Sequence, residues 1–295
     1  EPSYKLSSGF SIPTVGFGTW QSKKNEVAEA VKIAIKAGCR HIDCAAIYGN
    51  EAEIGGALKE LFDEGVVKRE DLFITSKLWN SCHKKENVKK HCAITLKHLG
   101  LAYLDLYLIH WPFAWVYTDE TLKVDPTMDY TVTMQETWEA MEELVAEGHV
   151  RSIGVSNANV QTLSQIMVYG KIKPAANQVE LHPYLSQPGL KAYCDANNIH
   201  LTAYSPLGCG KFVGDATFEE IAKAHNKPIT SILLRWGLQT GFSVIPKSVT
   251  EQRIKDNLLI TDFTLTEDEM KSIDALNKNY RTCDPATFWK LAIFD

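Results

Sequence analysis

The chain has 295 residues, of which 45% are hydrophobic and 23% are charged, and this is the composition of an ordinary globular protein. Its formal net charge of −5 argues against general binding to nucleic acid or to anionic membranes, because both require a basic surface. The length fits one large α/β domain or two smaller ones.

The first predicted element is a small β-hairpin. Apolar side chains alternate at Tyr4 and Leu6, a turn follows at Ser8-Gly9, and the alternation resumes at Phe10 and Ile12. From there, a short β-branched or aromatic run followed by an amphipathic helix repeats along the chain. The eight candidate strands cover residues 15–19, 41–45, 72–78, 104–110, 152–156, 175–180, 201–204 and 242–246.

Helical periodicity lies between these strands. Val27, Val31 and Ala34 share one helical face, and the capping boxes Thr133-x-x-Glu136 and Thr266-x-x-Glu269 mark two later helix starts. Strict alternation of strands and helices implies parallel strands joined by right-handed crossovers.

Eight such units predict a closed barrel. The alternative is a doubly wound sheet, which would usually carry Gly-x-Gly-x-x-Gly after its first strand, but Gly16-Phe17-Gly18 lacks the third glycine. No linker rich in Pro, Gly or Ser divides the chain. We therefore predict an α/β fold, a single (β/α)8 TIM barrel over residues 1–295, with an N-terminal β-hairpin and extra C-terminal helices and a loop.

Cysteine usage and hydropathy bear on the compartment. The seven cysteines form no Cys-x-x-Cys pair, so neither a disulfide framework nor a structural zinc site is expected. The most apolar stretch, residues 104–117, contains Asp105, His110 and Pro112 and is too short to span a membrane. No basic region followed by an apolar run opens the chain, so no signal peptide is expected. A reducing, cytoplasmic location is the prediction.

Polar side chains stand at nearly every strand end. In a barrel, the C-terminal ends of the strands form the active face. These ends, in chain order, are Thr19-Trp20, Asp43, Lys77, His110, Ser156-Asn157, Gln178, Tyr204 and Lys247-Ser248. The alternation of side chains supports this placement, because Lys77 shares a strand face with Phe73 and His110 shares one with Leu106 and Leu108.

Three of these groups, together with Tyr48 in the loop after the strand that Asp43 ends, suggest acid catalysis. Asp43 ends a buried strand, so its carboxylate needs a partner, and Lys77 on the next strand can supply it. The same ammonium is expected to lower the pKa of Tyr48 from about 10. Tyr48 could then protonate a developing alkoxide, while His110 hydrogen-bonds to the same oxygen.

Each residue alone has an ordinary structural explanation. A single Asp or Lys at a strand end is more often a surface ion pair, a lone His on an apolar strand is more often a core residue, and Tyr48 alone would be a packing residue. Their occurrence together on successive strand ends favours the catalytic interpretation.

The segment after the eighth strand predicts a phosphate site. Thr250 is a good N-cap, the free N–H groups at that helix start attract an anion, and Lys247 and Arg253 add positive charge. Loops after the last strands are the recurrent phosphate site of barrels. A solvated helix with ordinary surface charges is the alternative.

Aromatic residues beyond the strand ends predict an apolar pocket. Trp20, Trp79 and Trp111 each follow a strand, and Trp115 and Phe288-Trp289 are further candidates. For Trp115 and Phe288, packing of loops against the barrel rim is an equal alternative.

Glycosidase chemistry was the competing enzyme class. It requires two carboxyl groups facing each other across a sugar, and Glu51, Glu53 and Glu180 are the candidates. Glu51 and Glu53 fit the first turn of a helix, where negative charge is favoured in any case. No convincing carboxylate pair results.

Taken together, the strand-end motifs resemble those of the aldo-keto reductases, in particular the aldose and aldehyde reductase branch. The motifs are Gly16-Phe-Gly-Thr19-Trp20, His41-Ile-Asp43-Cys-Ala-Ala-Ile47-Tyr48, Ile74-Thr-Ser-Lys77-Leu-Trp79, Leu104-Asp-Leu-Tyr-Leu-Ile-His110-Trp111-Pro112, Gly154-Val-Ser156-Asn157, Asn177-Gln178, Ala203-Tyr204-Ser205-Pro-Leu207 and Ile245-Pro-Lys247-Ser248. The similarity runs from about Tyr4 to the end of the chain.

The resemblance implies a barrel that reduces aldehydes or aldoses, and possibly ketones, with NADPH. It implies Tyr48 as general acid, Asp43 and Lys77 as the groups that tune it, and His110 as the group that orients the carbonyl. The implied cofactor residues are Thr19, Trp20, Asp43, Ser156, Asn157, Gln178, Tyr204, Ser205, Leu207, Lys247, Ser248, Val249, Thr250, Arg253 and Asn257. The implied substrate residues are Trp20, Ile47, Tyr48, Trp79, His110 and Trp111. The protein is expected to be a monomer with a small-molecule substrate and no metal, nucleic acid or membrane partner.

Two departures from the family pattern are visible. Animal aldose reductases carry a long loop over the cofactor pyrophosphate, and here only Cys209-Gly-Lys-Phe-Val-Gly-Asp-Ala216 precedes the next helix. The C-terminal Arg281-Thr-Cys283-Asp-Pro-Ala-Thr-Phe-Trp289 also differs, which leaves substrate choice open. A non-catalytic family member is the remaining alternative, and the complete set of four catalytic residues argues against it.

Overall fold

The computed structural model describes residues 2–23, 25–212 and 214–294. Within them the chain opens with the predicted hairpin, in which β1 (Ser3–Lys5) pairs antiparallel with β2 (Ser11–Pro13). Leu6 and Ile12 are buried against Phe73, Leu106 and Leu108, which point into the barrel. The hairpin therefore closes the N-terminal end of the barrel, opposite the strand ends that carry the candidate site.

Eight parallel strands form the sheet, in the spatial order in which they occur along the chain. They are β3 (Phe17–Gly18), β4 (His41–Asp43), β5 (Phe73–Leu78), β6 (Leu104–Ile109), β7 (Val150–Ser156), β8 (Ala176–Glu180), β9 (His200–Tyr204) and β10 (Ser243–Val244). The first and last strands meet through a parallel bridge between Val15 and Val244 and a bond from Gly18 N to Pro246 O of 3.1 Å. The predicted (β/α)8 barrel is confirmed.

The helices occupy the positions that periodicity predicts. They are α1 (Val27–Lys36), α2 (Glu51–Asp63), α3 (Lys85–Leu99), α4 (Met134–Ala146), α5 (Val160–Tyr169), α6 (Pro188–Ala196), α7 (Ala216–His225), α8 (Ile229–Thr240), α9 (Glu251–Leu258), α10 (Glu267–Asp274) and α11 (Pro285–Phe288). Both predicted capping boxes are formed, at Thr133 before α4 and at Thr266 before α10. Tyr107 and Ile109 of β6 face the main core around the barrel, which confirms the predicted alternation of side chains.

The chain turns sharply between β4 and α2, and this turn places Tyr48. The strand ends at Asp43, a single 3₁₀ turn covers Ala46–Tyr48, and Gly49 follows with φ of 68°. A left-handed φ is accessible to glycine at little cost, so the chain can reverse there and begin α2 at Glu51. Tyr48 is thereby held above the end of the strand that carries Asp43.

The last part of the chain returns to the mouth of the barrel after α10. We call residues 278–294 the C-terminal segment. The backbone N–H groups of Lys278 and Tyr280 both donate to the carbonyl oxygen of Tyr184, at 3.1 and 3.0 Å. The segment is therefore attached to the loop that follows β8, and α11 lies beyond this attachment.

Candidate active site

A buried ion pair lies at the centre of the strand-end face. The ammonium Nζ of Lys77 lies 2.7 Å from Oδ2 of Asp43, 2.8 Å from the carbonyl oxygen of Cys44 and 3.3 Å from the hydroxyl oxygen of Tyr48. Gln178 donates to the other carboxylate oxygen, Oδ1 of Asp43, at 2.7 Å. Asp43 and Lys77 are almost completely buried. The predicted pairing of Lys77 with Asp43 is confirmed, and Gln178 is an additional partner that the sequence did not indicate.

The prediction that the pKa of Tyr48 is lowered is wrong for this structure. Burial raises the pKa of Tyr48 to about 12, and the attraction of Lys77 only partly offsets this effect, while Asp43 adds to it. The cause is that removing a phenolate from water costs more than one nearby ammonium recovers when that ammonium is already paired with a carboxylate. Tyr48 is consequently protonated at neutral pH and has a proton to donate.

The Lys77 ammonium remains charged despite its burial. Desolvation lowers its pKa, but Asp43 and Tyr48 raise it by more, so that the pKa of Lys77 lies above its ordinary value. One cation therefore faces both the Asp43 carboxylate and the Tyr48 phenol. The site therefore has a fixed positive charge next to the Tyr48 hydroxyl.

His110 follows β6 and borders the same region. Its ring centroid lies 5.9 Å from that of Tyr48 and 5.2 Å from that of Trp79. Burial, with a further contribution from Lys77, holds the pKa of His110 well below its usual range, so the imidazole is neutral. Its Nδ1 is buried and finds no hydrogen-bond partner in the described part of the chain. A neutral imidazole can still donate one N–H to a substrate oxygen.

The aromatic residues form one cluster beside His110. Trp289 of the C-terminal segment lies 4.7 Å from Trp115, 5.2 Å from Trp111 and 6.0 Å from Trp79, measured between ring centroids. These contacts bring together four tryptophans that the sequence could only propose as candidates. Trp20 is different, because half of its surface is exposed.

Other predicted residues at the strand ends form a hydrogen-bonded group. Tyr204 donates from its hydroxyl to Oδ1 of Asn157 at 2.8 Å, and Asn157 Nδ2 donates to the carbonyl oxygen of His110 at 3.0 Å. Ser156 donates to the carbonyl oxygen of Gln178 at 2.7 Å. Asn157 adopts a φ of 59°, a left-handed conformation that asparagine tolerates better than most residues. The group is thus held rigidly next to the ion pair.

The predicted phosphate-binding residues lie around the start of α9. Thr250 is the N-cap, but its side chain makes no capping bond, and its own N–H donates to Ser248 Oγ at 3.1 Å. Lys247 is exposed and its Nζ lies 3.5 Å from the carbonyl oxygen of Gln21. Arg253 is also exposed, on the first turns of α9. Two exposed cations therefore lie before and within the first turns of α9.

The remaining predicted residues lie in the first and last loops of this face. Thr19 is buried and donates to the carbonyl oxygen of Asp43 at 2.8 Å. Ser205 turns the chain after β9 with a φ of 48°, and Leu207 follows it, partly buried. The others are Ile47, which is partly buried, Val249, which is exposed, and Asn257, which is buried. Val213, within the shortened loop, lies outside the described residues.

Two buried glutamates have roles that sequence reasoning did not find. Glu51 accepts from Ser76 Oγ at 2.6 Å and from Thr95 Oγ1 at 3.1 Å, behind the sheet. Glu180 binds Thr282 of the C-terminal segment. The only sequence signal for this role of Glu180 was that an acidic residue occupies the last position of a buried strand and therefore needs a partner. The two carboxylates are committed to separate partners, which removes the support for a glycosidase pair.

In residues 2–23, 25–212 and 214–294, no group of three or more His, Cys, Asp or Glu side chains is arranged to hold a metal ion. Over the same residues, no helix combines the length and apolar character needed to cross a bilayer.

Comparison with known proteins gives consistent results over nearly the whole chain. Residues 14–278 match the model of the aldo/keto reductase family. The chain is 53% identical to aldose reductase B of Dictyostelium discoideum, with 99% of this chain and 98% of that protein covered. It is 46% identical to aldo-keto reductase family 1 member A1 of Bos taurus, with 95% and 90% covered.

Solved structures agree with these sequence matches. The aldose reductase of Schistosoma japonicum superimposes with a TM-score of 0.95 at 40% identity, covering 100% of this chain and 99% of that one. An aldo-keto reductase of Bombyx mori, solved in complex with NADP, superimposes with a TM-score of 0.91 at 38% identity, covering 99% and 97%.

Proposed function

The chain belongs to the aldo/keto reductase family and is an NADPH-dependent carbonyl reductase, and on this premise we propose that Tyr48 is its proton donor and that aldehydes and aldoses are its substrates. The observation that carries the proposal is the contact of 3.3 Å between Lys77 Nζ and the Tyr48 hydroxyl. It places a cation that is paired with a buried carboxylate next to a protonated phenol. The aldose reductase relatives support the substrate class.

The residues present fit a nicotinamide cofactor. Gln178 uses its amide nitrogen on Asp43 and keeps its amide oxygen as an acceptor, and Asn157 and Ser156 retain lone pairs on their side-chain oxygens. A carboxamide can therefore hydrogen-bond across the ends of β7 and β8. Tyr204 offers a ring face beside them. When bound, NADPH supplies the hydride that the protein itself cannot provide.

The other end of the cofactor has a matching set of charges. Lys247 and Arg253 flank the free N–H groups at the start of α9, and this arrangement favours a 2′-phosphate. Ser248 and Thr250 supply hydroxyl groups, and Val249 lies between them. On the same proposal, Asn257 contacts the adenine, and Thr19, Trp20, Ser205 and Leu207 border the rest of the cofactor.

The proposed proton transfer follows from the geometry at Tyr48. The carbonyl oxygen of the substrate is held between the Tyr48 hydroxyl and the neutral imidazole of His110. As negative charge develops on this oxygen, the Tyr48 hydroxyl donates its proton. Lys77 stabilises the phenolate that remains, and Asp43 keeps that ammonium in place. The cation thus has its largest effect after the proton has left, which is when stabilisation increases the rate.

We call the cluster of Trp79, Trp111, Trp115 and Trp289 beside His110 the aromatic wall, and we assign substrate selectivity to it. On this proposal Ile47, Trp20, Trp79 and Trp111 line the substrate position between Tyr48 and His110, and an apolar lining of this kind suits aldehydes with a hydrophobic substituent. We further propose that the chain acts as a monomeric, single-domain cytoplasmic enzyme without nucleic-acid or membrane partners.

The experiment that tests this function is a cofactor-consumption screen. The purified chain is mixed with NADPH, or separately with NADH, and with sugars, sugar phosphates and aliphatic and aromatic aldehydes, and the loss of absorbance of the reduced nicotinamide is followed. Reduction of aldehydes with preference for NADPH supports the proposal. Binding of NADPH without turnover of any carbonyl compound would support a non-catalytic family member instead.

A further inference from the structure

The carboxylate of Glu180 is satisfied mainly by the C-terminal segment. Oε1 accepts from the backbone N–H of Thr282 at 2.7 Å and from the Thr282 hydroxyl at 2.5 Å, and Oε2 accepts from the backbone N–H of Cys283 at 2.9 Å. The ring of His182 is the fourth neighbour, with Nε2 2.9 Å from Oε1. Glu180 is only 1% exposed, so these contacts replace its water completely.

The carboxylate is ionised in this environment. Burial raises its pKa, but the bonds from His182, Thr282 and Cys283 together exceed that effect and hold the pKa of Glu180 below its usual value. Hydrogen bonds to an ionised acceptor are about twice as strong as neutral ones. The bonds also join Glu180 to Thr282 and Cys283, which lie 102 and 103 positions further along the chain. They therefore determine where a distant part of the chain lies.

The anchored residues touch the proposed active site on two sides. Glu180 pairs with Tyr204 in the neighbouring strand, and the side chain of Tyr204 acts on the pKa of the Cys283 thiol, which burial raises to about 11. Six residues after Cys283, Trp289 packs against Trp111 and Trp115 of the aromatic wall. One short stretch therefore lies near the tyrosine proposed to face the nicotinamide and completes the wall proposed to face the substrate.

We infer that Glu180 is a positioning residue, which fixes residues 281–289 so that Trp289 completes the aromatic wall. Glu180 does not touch the reacting atoms, and it acts through the C-terminal segment. The expected effect on substrates rests on the proposed function. The anchoring of the C-terminal segment does not depend on that function.

The structure separates this anchor from a second one. Lys278 and Tyr280 bind the carbonyl oxygen of Tyr184, before the Glu180 contacts begin. Loss of the Glu180 carboxylate should therefore release residues 281–289 while residues 278–280 stay attached. This difference provides an internal control within one segment.

The test is Glu180→Gln, which keeps the shape of the side chain but replaces one acceptor oxygen by a donor that faces the N–H group of Cys283. Amide hydrogen exchange at residues 281–289 is expected to accelerate by about tenfold or more, with residues 278–280 unchanged. Benzaldehyde carries an apolar ring that is expected to pack against the aromatic wall, so its KM should rise by about tenfold. Glyceraldehyde has no such ring, and its kcat and KM should stay within about twofold.

Thr282→Val is the milder variant, because it removes only the hydroxyl donor of Thr282 and leaves the backbone donors in place. It also keeps the assay informative if Glu180→Gln does not fold. It should show the same pattern at smaller size. Thr287→Val is the matched control, since the Thr287 hydroxyl donates to the carbonyl oxygen of Asp284 and not to Glu180. It should leave both readouts unchanged.

Unchanged exchange at residues 281–289 in both Glu180→Gln and Thr282→Val would overturn the inference. So would an equal loss of activity on both aldehydes together with faster exchange throughout the barrel, because that describes a general structural role. If the unmodified protein reduces neither aldehyde, the proposed function fails, and the exchange data still decide whether Glu180 anchors the segment.

Discussion

The ammonium of Lys77 lies 3.3 Å from the hydroxyl of Tyr48, and the same ammonium is bound to Asp43 at 2.7 Å. Because the cation is shared, it does not reduce the pKa of Tyr48 below its ordinary value in this structure. The ammonium stabilises the site most strongly after the tyrosine has given up its proton, because Lys77 then faces two anions. The arrangement thus stabilises the product of proton transfer more than the starting state.

Replacement of Tyr48 by phenylalanine tests the proton donor. Tyr48→Phe removes the hydroxyl group that the proposal names as the proton donor. The kcat for aldehyde reduction should therefore fall by about 10²–10⁴-fold. NADPH binding, measured by quenching of tryptophan fluorescence, should be retained. Tyr107→Phe is the control, because the buried Tyr107 hydroxyl has no partner among the described residues. Reduction by Tyr48→Phe at a rate close to that of the unmodified protein would reject the role.

The buried pair should also matter for stability. Lys77→Met leaves the Asp43 carboxylate buried without its cation, and removing one partner of a buried pair costs about 3–5 kcal/mol. Urea denaturation should show this as a lower midpoint. Lys85→Met is the control, since Lys85 pairs with Glu143 on the exposed surface and its loss should not move the midpoint. Equal midpoints for Lys77→Met and the unmodified protein would contradict the structural account.

Cofactor preference should depend on Arg253. Arg253→Gln removes a cation proposed to bind the 2′-phosphate, and a bond to a charged group contributes about 1.5–3 kcal/mol, so the Kd for NADPH should rise by roughly tenfold or more. The Kd for NADH, which lacks this phosphate, should stay the same. Lys255→Gln is the matched control on the same helix, because Lys255 is paired with Glu251. A parallel loss of affinity for both cofactors would argue against the assignment.

The short loop between β9 and α7 should speed the release of cofactor. Phe212 packs against Tyr184, with ring centroids 4.6 Å apart, and Tyr184 donates to Asp215, so the loop is held against the barrel. Few residues remain to fold over a pyrophosphate. Stopped-flow measurement should find NADPH dissociation faster than in animal aldose reductases with the long loop. Release as slow as theirs would show that other contacts retain the cofactor.

Acid sensitivity should arise from buried histidines such as His83. Burial lowers the pKa of His83 to about 3, whereas an unfolded histidine has a pKa of about 6.5. Between these values the unfolded chain binds the extra proton. The stabilising contribution is therefore complete above about pH 6.5 and declines by about 1.4 kcal/mol per pH unit as the pH falls toward the folded value.

His83→Gln should remove this part of the slope. Urea denaturation at several pH values between the two pKa values measures the free energy of unfolding, and its dependence on pH should be weaker in the variant. His98→Gln is the control, because His98 is exposed at the end of α3. A slope that His83→Gln leaves unchanged would show that His83 does not titrate on unfolding.

Local patterns were sufficient to predict the barrel and the side chains that stand at its strand ends. Strand and helix periodicity depend on neighbouring residues, and so do the capping boxes at Thr133 and Thr266. Once eight βα units are recognised, topology alone brings Asp43, Lys77 and His110 to the same end of the sheet. These features are therefore determined by the sequence, and the structure adds the distances.

Other properties depend on contacts between distant parts of the chain. The pKa of Tyr48 follows from how much water is excluded around it, and a motif does not encode that quantity. Thr282 and Cys283, which donate to the Glu180 carboxylate, lie more than a hundred positions away from it, and Trp289 of the same segment packs against Trp115. Burial and long-range hydrogen bonds are set by the packed fold, so only the tertiary structure could decide them.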